Sequence, residues 1–428
     1  MPILTTVDEF SPHKVASRLI LVISLKDTLI FNKDSPRTKK GKSMQYRKFG
    51  KLDWKVSALG FGAMRMPTTD GNPANIDKPE AIKMIRHAIN HGVNYLDTAY
   101  PYHAGQSERL VGEALKDGYR EKMRLATKMP VRQVESADDL DPIFTEQLER
   151  LQETKIDFYL LHGMNAMNLR KVRDFNILKW AEGKMAEGSI DRLGFSFHDD
   201  YDVFKEVVDE YDNWTFCQVQ YNFMDINFQA GRRGVEYAAA KDMGIVAMEP
   251  LRGGRLGKAP PVAVADVWAS TPQKRSPVEW ALQWVWNQPE VSLALSGMST
   301  MEQVEQNVEY AGRSSPNSLS ADEMALIGRA EEAYRGRIPV PCTACGYCMP
   351  CPNGVEIPRV FQIFNDAVMY DNTQVGRLNY RGPMGLQPAQ MADQCIECGE
   401  CLGACPQSIP IPGWMKEVHT MLGPKQDK

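Results

Sequence analysis

From Met44 onward, short apolar runs alternate with longer segments whose apolar residues recur every third or fourth position. The runs are SALGFGA, YLDTA, LATK, FYLLH, RLGFSF, FCQVQYN, GIVAMEP and SLALSGM. Near-continuous apolarity over so few residues marks a strand covered on both faces. Between and after them lie PEAIKMIRHAINHG, SERLVGEALKDG, DPIFTEQLERLQ, LRKVRDFNILKWAEGKMAEG, YDVFKEVVDEY, GRRGVEYAAAKDMG, SPVEWALQWVWNQ and TMEQVEQNVEYAG, each with the period of an amphipathic helix. Eight strands, each followed by a helix, predict an α/β chain folded as a (β/α)8 TIM barrel. A doubly wound sheet is the competing fold, but it calls for a G-x-G-x-x-G turn after an early strand, and none is present.

The pattern breaks at both ends. Residues 1–43 hold a short apolar run, LILVISL, inside a lysine-rich segment ending SPRTKKGKS. That run falls short of the ~20 residues a membrane span needs, and no A-x-A-like cleavage site follows it. We expect residues 1–43 to be a disordered or non-native extension, with translation starting at Met44. The barrel is expected over 44–313, a linker and one further helix over 314–337, and a separate domain over 338–428.

Composition narrows the function. With 428 residues, 43% hydrophobic and 24% charged, the chain is long enough for two or three globular domains. A net charge of −4 gives no general attraction to nucleic acid or anionic membrane, so a small-molecule partner is expected. Eight of nine cysteines crowd between Cys342 and Cys405, a distribution that points to metal in a reducing, cytoplasmic compartment rather than to disulfides. The ninth, Cys217, falls on a predicted barrel strand and reads as packing.

Chemistry concentrates where strands end. In NYLDTAYPYHAGQS, Asp97 closes a strand, the chain turns through Pro101, and Ser107 is the expected N-cap of the next helix. Tyr102 stands five residues after Asp97. A phenol of ordinary pKa about 10 donates a proton poorly unless a cation lies beside it and a carboxylate holds that cation. Lys128 ends the next predicted strand and His162 the one after that.

Asp97, Tyr102, Lys128 and His162, in this order at the ends of successive strands, resemble the catalytic tetrad of the aldo-keto reductases. The words LGFGAMRMP, DTAYPYHAGQSERLVGEAL, YLLHG, QVQYN, EPLRGG and SGMSTMEQVEQN fall in that family's order, and the resemblance covers roughly 44–313. It implies that Tyr102 donates the proton to a carbonyl oxygen, that Lys128, held by Asp97, lowers the phenol pKa, and that His162 orients the carbonyl. It also implies a nicotinamide cofactor, NAD(P)H. Ser196 and Gln218 would bind the carboxamide, Met64 would line the site, and Pro250, Leu251 and Gly253 would cover the pyrophosphate. Gly297, Ser299, Gln303 and Asn307 would hold the adenosine end at a helix N-terminus. The chain departs from the family at Met248, where a stacking aromatic is usual, and at Phe197, where asparagine is common. Gly297 and Gln303 stand where NADPH-preferring members carry a basic residue, so the choice of NADH or NADPH stays open. Arg252 and Arg255 are the remaining cations near those segments, and the sequence does not place them.

Two cysteine runs carry the second chemistry. CIECGECLGACP, with Cys395, Cys398, Cys401 and Cys405, is C-x2-C-x2-C-x3-C-P, the bacterial ferredoxin pattern whose fourth thiolate reaches the other cluster. CTACGYCMPCP, with Cys342, Cys345, Cys348 and Cys351, has x2 before its last cysteine, which leaves its fourth ligand less defined. By the same crossover one 4Fe-4S cluster takes Cys342, Cys345, Cys348 and Cys405, and the other takes Cys395, Cys398, Cys401 and Cys351. Structural zinc is the alternative, and consecutive x2 spacings ending in Cys-Pro fit it less well. The intervening segment, 357–381, reads as helical, so an α-helical ferredoxin-like domain is expected.

The whole resembles the branch of aldo-keto reductases with a C-terminal 4Fe-4S ferredoxin-like domain. It implies an oxidoreductase acting on a small carbonyl or alcohol. The alternative is an electron-transfer protein in which the clusters serve a ferredoxin or flavoprotein partner and the barrel is scaffold or single-electron reductase. Hydride moves two electrons and a cubane moves one, and no flavin signature bridges them.

Overall fold

The computed structural model describes residues 43–342, 344, 346–382 and 385–424. Residues 1–42 of the expected extension, and Cys345, lie outside the described residues.

The described residues open with a hairpin the apolar runs did not announce, β1 (Tyr46–Phe49) and β2 (Leu52–Ser57), paired antiparallel. Then come β3 (Leu59–Gly62), β4 (Tyr95–Asp97), β5 (Arg124–Met129), β6 (Ile156–Met164), β7 (Ile190–Phe197), β8 (Phe216–Gln220), β9 (Gly244–Met248) and β10 (Leu293–Gly297). These eight are parallel, and β10 pairs with both β9 and β3, closing the barrel as the sequence predicted. Among the described residues no helix is long and apolar enough to cross a membrane.

The hairpin plugs the amino end of the barrel. Phe49, fully buried, meets the rings of Tyr95, Phe158 and Phe216 at 6.2, 5.2 and 5.6 Å. A side chain at Gly244 would place its Cβ 2.9 Å from the Phe49 ring, so only glycine opens β9 here. Filling this end with rings leaves the carboxyl end for chemistry.

Two segments read as single helices are broken. The segment 169–188 divides into Ala166–Asp174 and Ile177–Ala186 at Asn176, whose φ is 52°. The segment 357–381 divides into Ile357–Met369 and Thr373–Arg381 at Asp371, φ 47°. Asn and Asp tolerate this left-handed turn better than most side chains, so the periodicity runs on while the backbone does not. The C-terminal region is helical, with its own core of Val340, Val355, Phe361, Phe364, Met415 and Val418. Helix Ala321–Arg335 packs instead with the barrel core through Leu326, Ile327 and Ala330.

Candidate active site

Parallel pairing sets the ends of the strands side by side: Asp97 opposite Ala126, Lys128 opposite Leu160, and Ser196 opposite Gln218. Lys128 is completely buried, and its Nζ donates to Asp97 Oδ1 at 2.6 Å and to the Thr98 carbonyl at 2.7 Å. Tyr102 stands in the 3-10 turn Tyr102–Gly105, with the Lys128 ammonium 5.0 Å from its ring centre. The His162 ring meets Tyr102 edge to face at 5.8 Å. The four residues singled out in the sequence thus share one end of the barrel.

Ser107 does not cap its helix. Helix Gln106–Ala114 begins after Gly105, and the buried Ser107 hydroxyl bonds the Ala63 carbonyl at 2.9 Å and Thr98 Oγ1 at 2.8 Å. Its tertiary partners win over the local one, tying the Tyr102 turn to β3 and β4.

Burial governs the titration of the group. It pushes the Tyr102 phenol above its ordinary range, while Lys128 pulls the other way. Lys128 therefore acts in the expected direction, but desolvation of a nearly enclosed phenol exceeds it. Burial also raises the Asp97 carboxyl, and the Lys128 ammonium draws it back down. Burial, with Lys128 and His198 adding like charge, holds His162 down at about 3, so its imidazole is neutral at working pH. A neutral imidazole orients a carbonyl by hydrogen bonding and does not supply a cationic acid.

Beside the group lies a cavity of about 110 Å³ lined by Met64, Gln218, Met248, Leu251, Gly253 and Gly297, and also by Tyr102, Asp97 and Pro250. Gln218 Nε2 donates to Met248 Sδ at 3.6 Å, while its buried Oε1 has no partner among the described residues. A primary amide laid in the groove would supply the missing donor. Ser196 lies behind, accepting from the Gly163 N–H at 2.8 Å.

Ser299, Gln303 and Asn307 are largely bonded to neighbours. Gln303 Oε1 accepts from the Ser299 N–H at 2.8 Å, the Ser299 hydroxyl donates to the Arg65 carbonyl at 2.7 Å, and Asn307 donates to Ser296 Oγ at 3.2 Å. They stand within and just before helix Met301–Ala311, which Thr300 caps, and of the adenosine-end residues named from the sequence only Gly297 lines the groove. Phe197 is buried and packs on the ring of Phe204 at 5.1 Å. Arg252 and Arg255 both pair with Asp366, at 3.2 and 3.5 Å, so neither is free for a phosphate.

Sequence reasoning missed Arg65 and Glu249, which bridge the groove at 3.2 Å. A Cβ at Gly297 would press on the Arg65 stem at 3.2–3.3 Å. Glu249 follows β9 directly and Arg65 stands three residues past the end of β3, which was the available signal.

The cysteines surround two further sites. Cys348, Cys351, Cys395, Cys398 and Cys401 line a cavity of about 210 Å³ walled by Val355, Ile357, Ile411 and Met415. Cys342, Cys348 and Cys405 line a second, of about 20 Å³. Burial and the neighbouring Cys395, Cys398 and Cys348 push the Cys401 thiol up. Among the described residues no three Cys, His or carboxylate side chains converge on one point as ligands of a single ion do. The buried Cys217 touches neither site.

The sequence profile of the Aldo/keto reductase family matches residues 58–332, and that of a 4Fe-4S dicluster domain matches residues 341–409. The chain is 28% identical over 303 residues to an L-galactose dehydrogenase from Arabidopsis thaliana, covering 66% of this chain and 92% of that one. Among solved structures, the holo form of an aldo-keto reductase from Bacillus halodurans superposes with a TM-score of 0.56 at 28% identity, over 67% of this chain and 96% of that one. An aldo-keto reductase from Klebsiella pneumoniae in complex with NADPH superposes with a TM-score of 0.53 at 24% identity, over 67% and 94%, a likeness of fold.

Proposed function

Because this chain belongs to the aldo/keto reductase family, with a 4Fe-4S domain at its C-terminal side, we propose that it reduces a small carbonyl substrate with NAD(P)H, Tyr102 supplying the proton. The observation that carries this reading is the gathering of Lys128, Asp97 and His162 around Tyr102, which with Asp97 lines the groove.

A bound dihydronicotinamide supplies the hydride. The rest falls to the chain's own residues. The orphaned Gln218 Oε1, with Ser196 behind it, would hold the carboxamide and so orient the ring toward the substrate. Pro250, Leu251 and Gly253 would cover the middle of the cofactor, and Gly297, Ser299, Gln303 and Asn307 would bound its adenosine end. Tyr102 O–H gives its proton to the carbonyl oxygen as negative charge develops there. Lys128 stabilises the phenolate left behind, Asp97 keeps Lys128 charged and in place, and neutral His162 holds the carbonyl oxygen.

In the cassette, cysteine chemistry fits iron–sulfur ligation. The second cluster falls to Cys351, Cys395, Cys398 and Cys401, which share the larger cavity. The first falls to Cys345 with Cys342, Cys348 and Cys405, the last three of which share the smaller one. Such clusters supply one-electron chemistry.

The test is Tyr102→Phe in the anaerobically purified protein, assayed with a panel of small aldehydes and ketones. Removing a positioned general acid should lower turnover roughly 10²- to 10⁴-fold while nucleotide binding persists. Unchanged turnover would remove Tyr102 from the chemistry and the reading with it.

A further inference from the structure

The loop after β9 follows a path its residues do not favour. Glu249, Arg252, Gly253 and Gly254 all take left-handed backbone, at φ 53°, 49°, 67° and 85°. Only two of the four are glycine, so outside contacts hold the loop in place. From the barrel, Asn222 Nδ2 donates to the Glu249 carbonyl at 3.0 Å, Arg65 pairs with Glu249, and Asp225 pairs with Arg252 Nε at 3.1 Å.

The remaining contacts come from the iron–sulfur side. Arg252 Nη1 donates to Tyr370 Oη at 2.7 Å and to Asp366 Oδ1 at 3.2 Å, and Arg255 reaches Asp366 Oδ2 at 3.5 Å. Asp366 and Tyr370 stand at the end of helix Ile357–Met369. That helix begins in the cassette core, where Ile357 lines both cysteine cavities, and finishes with Met369 and Tyr370 in the barrel core. At 1.5 Å per residue, Asp366 lies about 13 Å along it from Ile357. One straight element therefore connects the cysteine sites to the loop whose Leu251 and Gly253 line the cofactor groove.

We propose that Asp366 and Tyr370 are positioning residues for the nicotinamide cofactor, so that the cassette, through Arg252, holds the cofactor-covering loop closed. This rests on the groove being the nucleotide site. The cassette thereby takes part in cofactor retention whether or not its clusters exchange electrons with the barrel.

Dissociation of NADH and NADPH, followed by stopped-flow nucleotide fluorescence on the full-length, cluster-loaded protein, tests it. Asp366→Asn removes the charge, and Tyr370→Phe removes only the hydroxyl and keeps the ring against Tyr334, 5.2 Å away. Each should raise the dissociation rate about five- to tenfold, with cluster absorption unchanged. Asp371→Asn is the control: Asp371 pairs with Arg337 next to the same helix and makes no contact with the loop. Its rate should match wild type. Rates within about twofold of wild type in both Asp366→Asn and Tyr370→Phe overturn the proposal, as does an equal rise in Asp371→Asn. If wild type binds a nucleotide and the variants release it alike, only the latch fails. If wild type binds neither nucleotide, the cofactor reading fails and the latch with it.

Discussion

At the mouth of the barrel, Lys128 and Asp97 are 0% and 2% exposed and lie 2.6 Å apart on adjacent hydrogen-bonded strands. In the cassette, Cys398 is exposed, the other described cysteines are half-buried, and all but Cys401 sit outside regular elements. The first site is held by a sheet that exists before any ligand arrives. The second is carried on loops and one short helix that pack against the cassette core, with no strand pairing to fix the thiols among the described residues. In such sites the free energy of binding metal is also free energy of folding. The barrel site is thus preorganised by backbone pairing, and the cassette is organised by what it binds.

The largest expected effect comes from removing iron. Structural metal sites contribute on the order of 10 kcal/mol to small domains, so chelation under reducing conditions should unravel the loops around Cys342–Cys351 and Cys395–Cys405. The barrel, with its separate core, should keep its own unfolding transition. Limited proteolysis followed by mass analysis checks this: cuts confined to the cassette are expected. A cassette equally resistant with and without iron would show that its helices suffice, and the contrast would fall.

The converse experiment strikes the barrel. Lys128→Met leaves Asp97 as a buried charge without its partner, which costs about 3–5 kcal/mol. Urea unfolding of the barrel should move by that amount, with cluster absorption intact. Cys351→Ser should do the reverse, losing one cluster's absorption and leaving the barrel transition where it was. If Lys128→Met leaves the barrel's stability unchanged, Asp97 is not held as a carboxylate and the account of the pair is wrong.

The same contrast explains what could be read from the sequence. Barrel strands are buried on both faces, so runs such as FYLLH and RLGFSF announce themselves, and strand ends then place Asp97, Lys128 and His162 without further information. The β1–β2 hairpin escaped because its packing residues, Phe49, Trp54 and Val56, stand singly between Lys48, Asp53 and Lys55 and never form an apolar run. The Arg65–Glu249 pair joins residues far apart in sequence, and the Arg252–Asp366 contact joins two domains. No local pattern encodes either. Ser107 shows the opposite error: a sound local signal for a cap was overruled by the Ala63 carbonyl. In the cassette the spacing of cysteines names the ligand type, but its geometry is written in loops, which obey no period.

The smallest effect is in pH, and it separates the two sites by sign. Tyr102 must be protonated to act as donor, and burial raises its pKa, so the competent form persists as pH rises and is lost only above about 10. His162 has already given up its proton near 3 and contributes no change between neutral and mildly acid pH. Carbonyl reduction at saturating nucleotide should therefore vary less than about twofold across pH 6–9, a range in which an ordinary histidine would titrate. The cassette behaves otherwise. Its thiols must lose protons to bind iron, and burial with neighbouring thiols raises Cys401, so cluster assembly becomes easier as pH rises and acid opposes it. Iron release should thus begin on the acid side while the barrel's turnover is still flat. A reduction profile with an apparent pKa near 7 would instead mean that His162 titrates in the working enzyme, and that the enclosure deduced for the barrel site opens when substrate is bound.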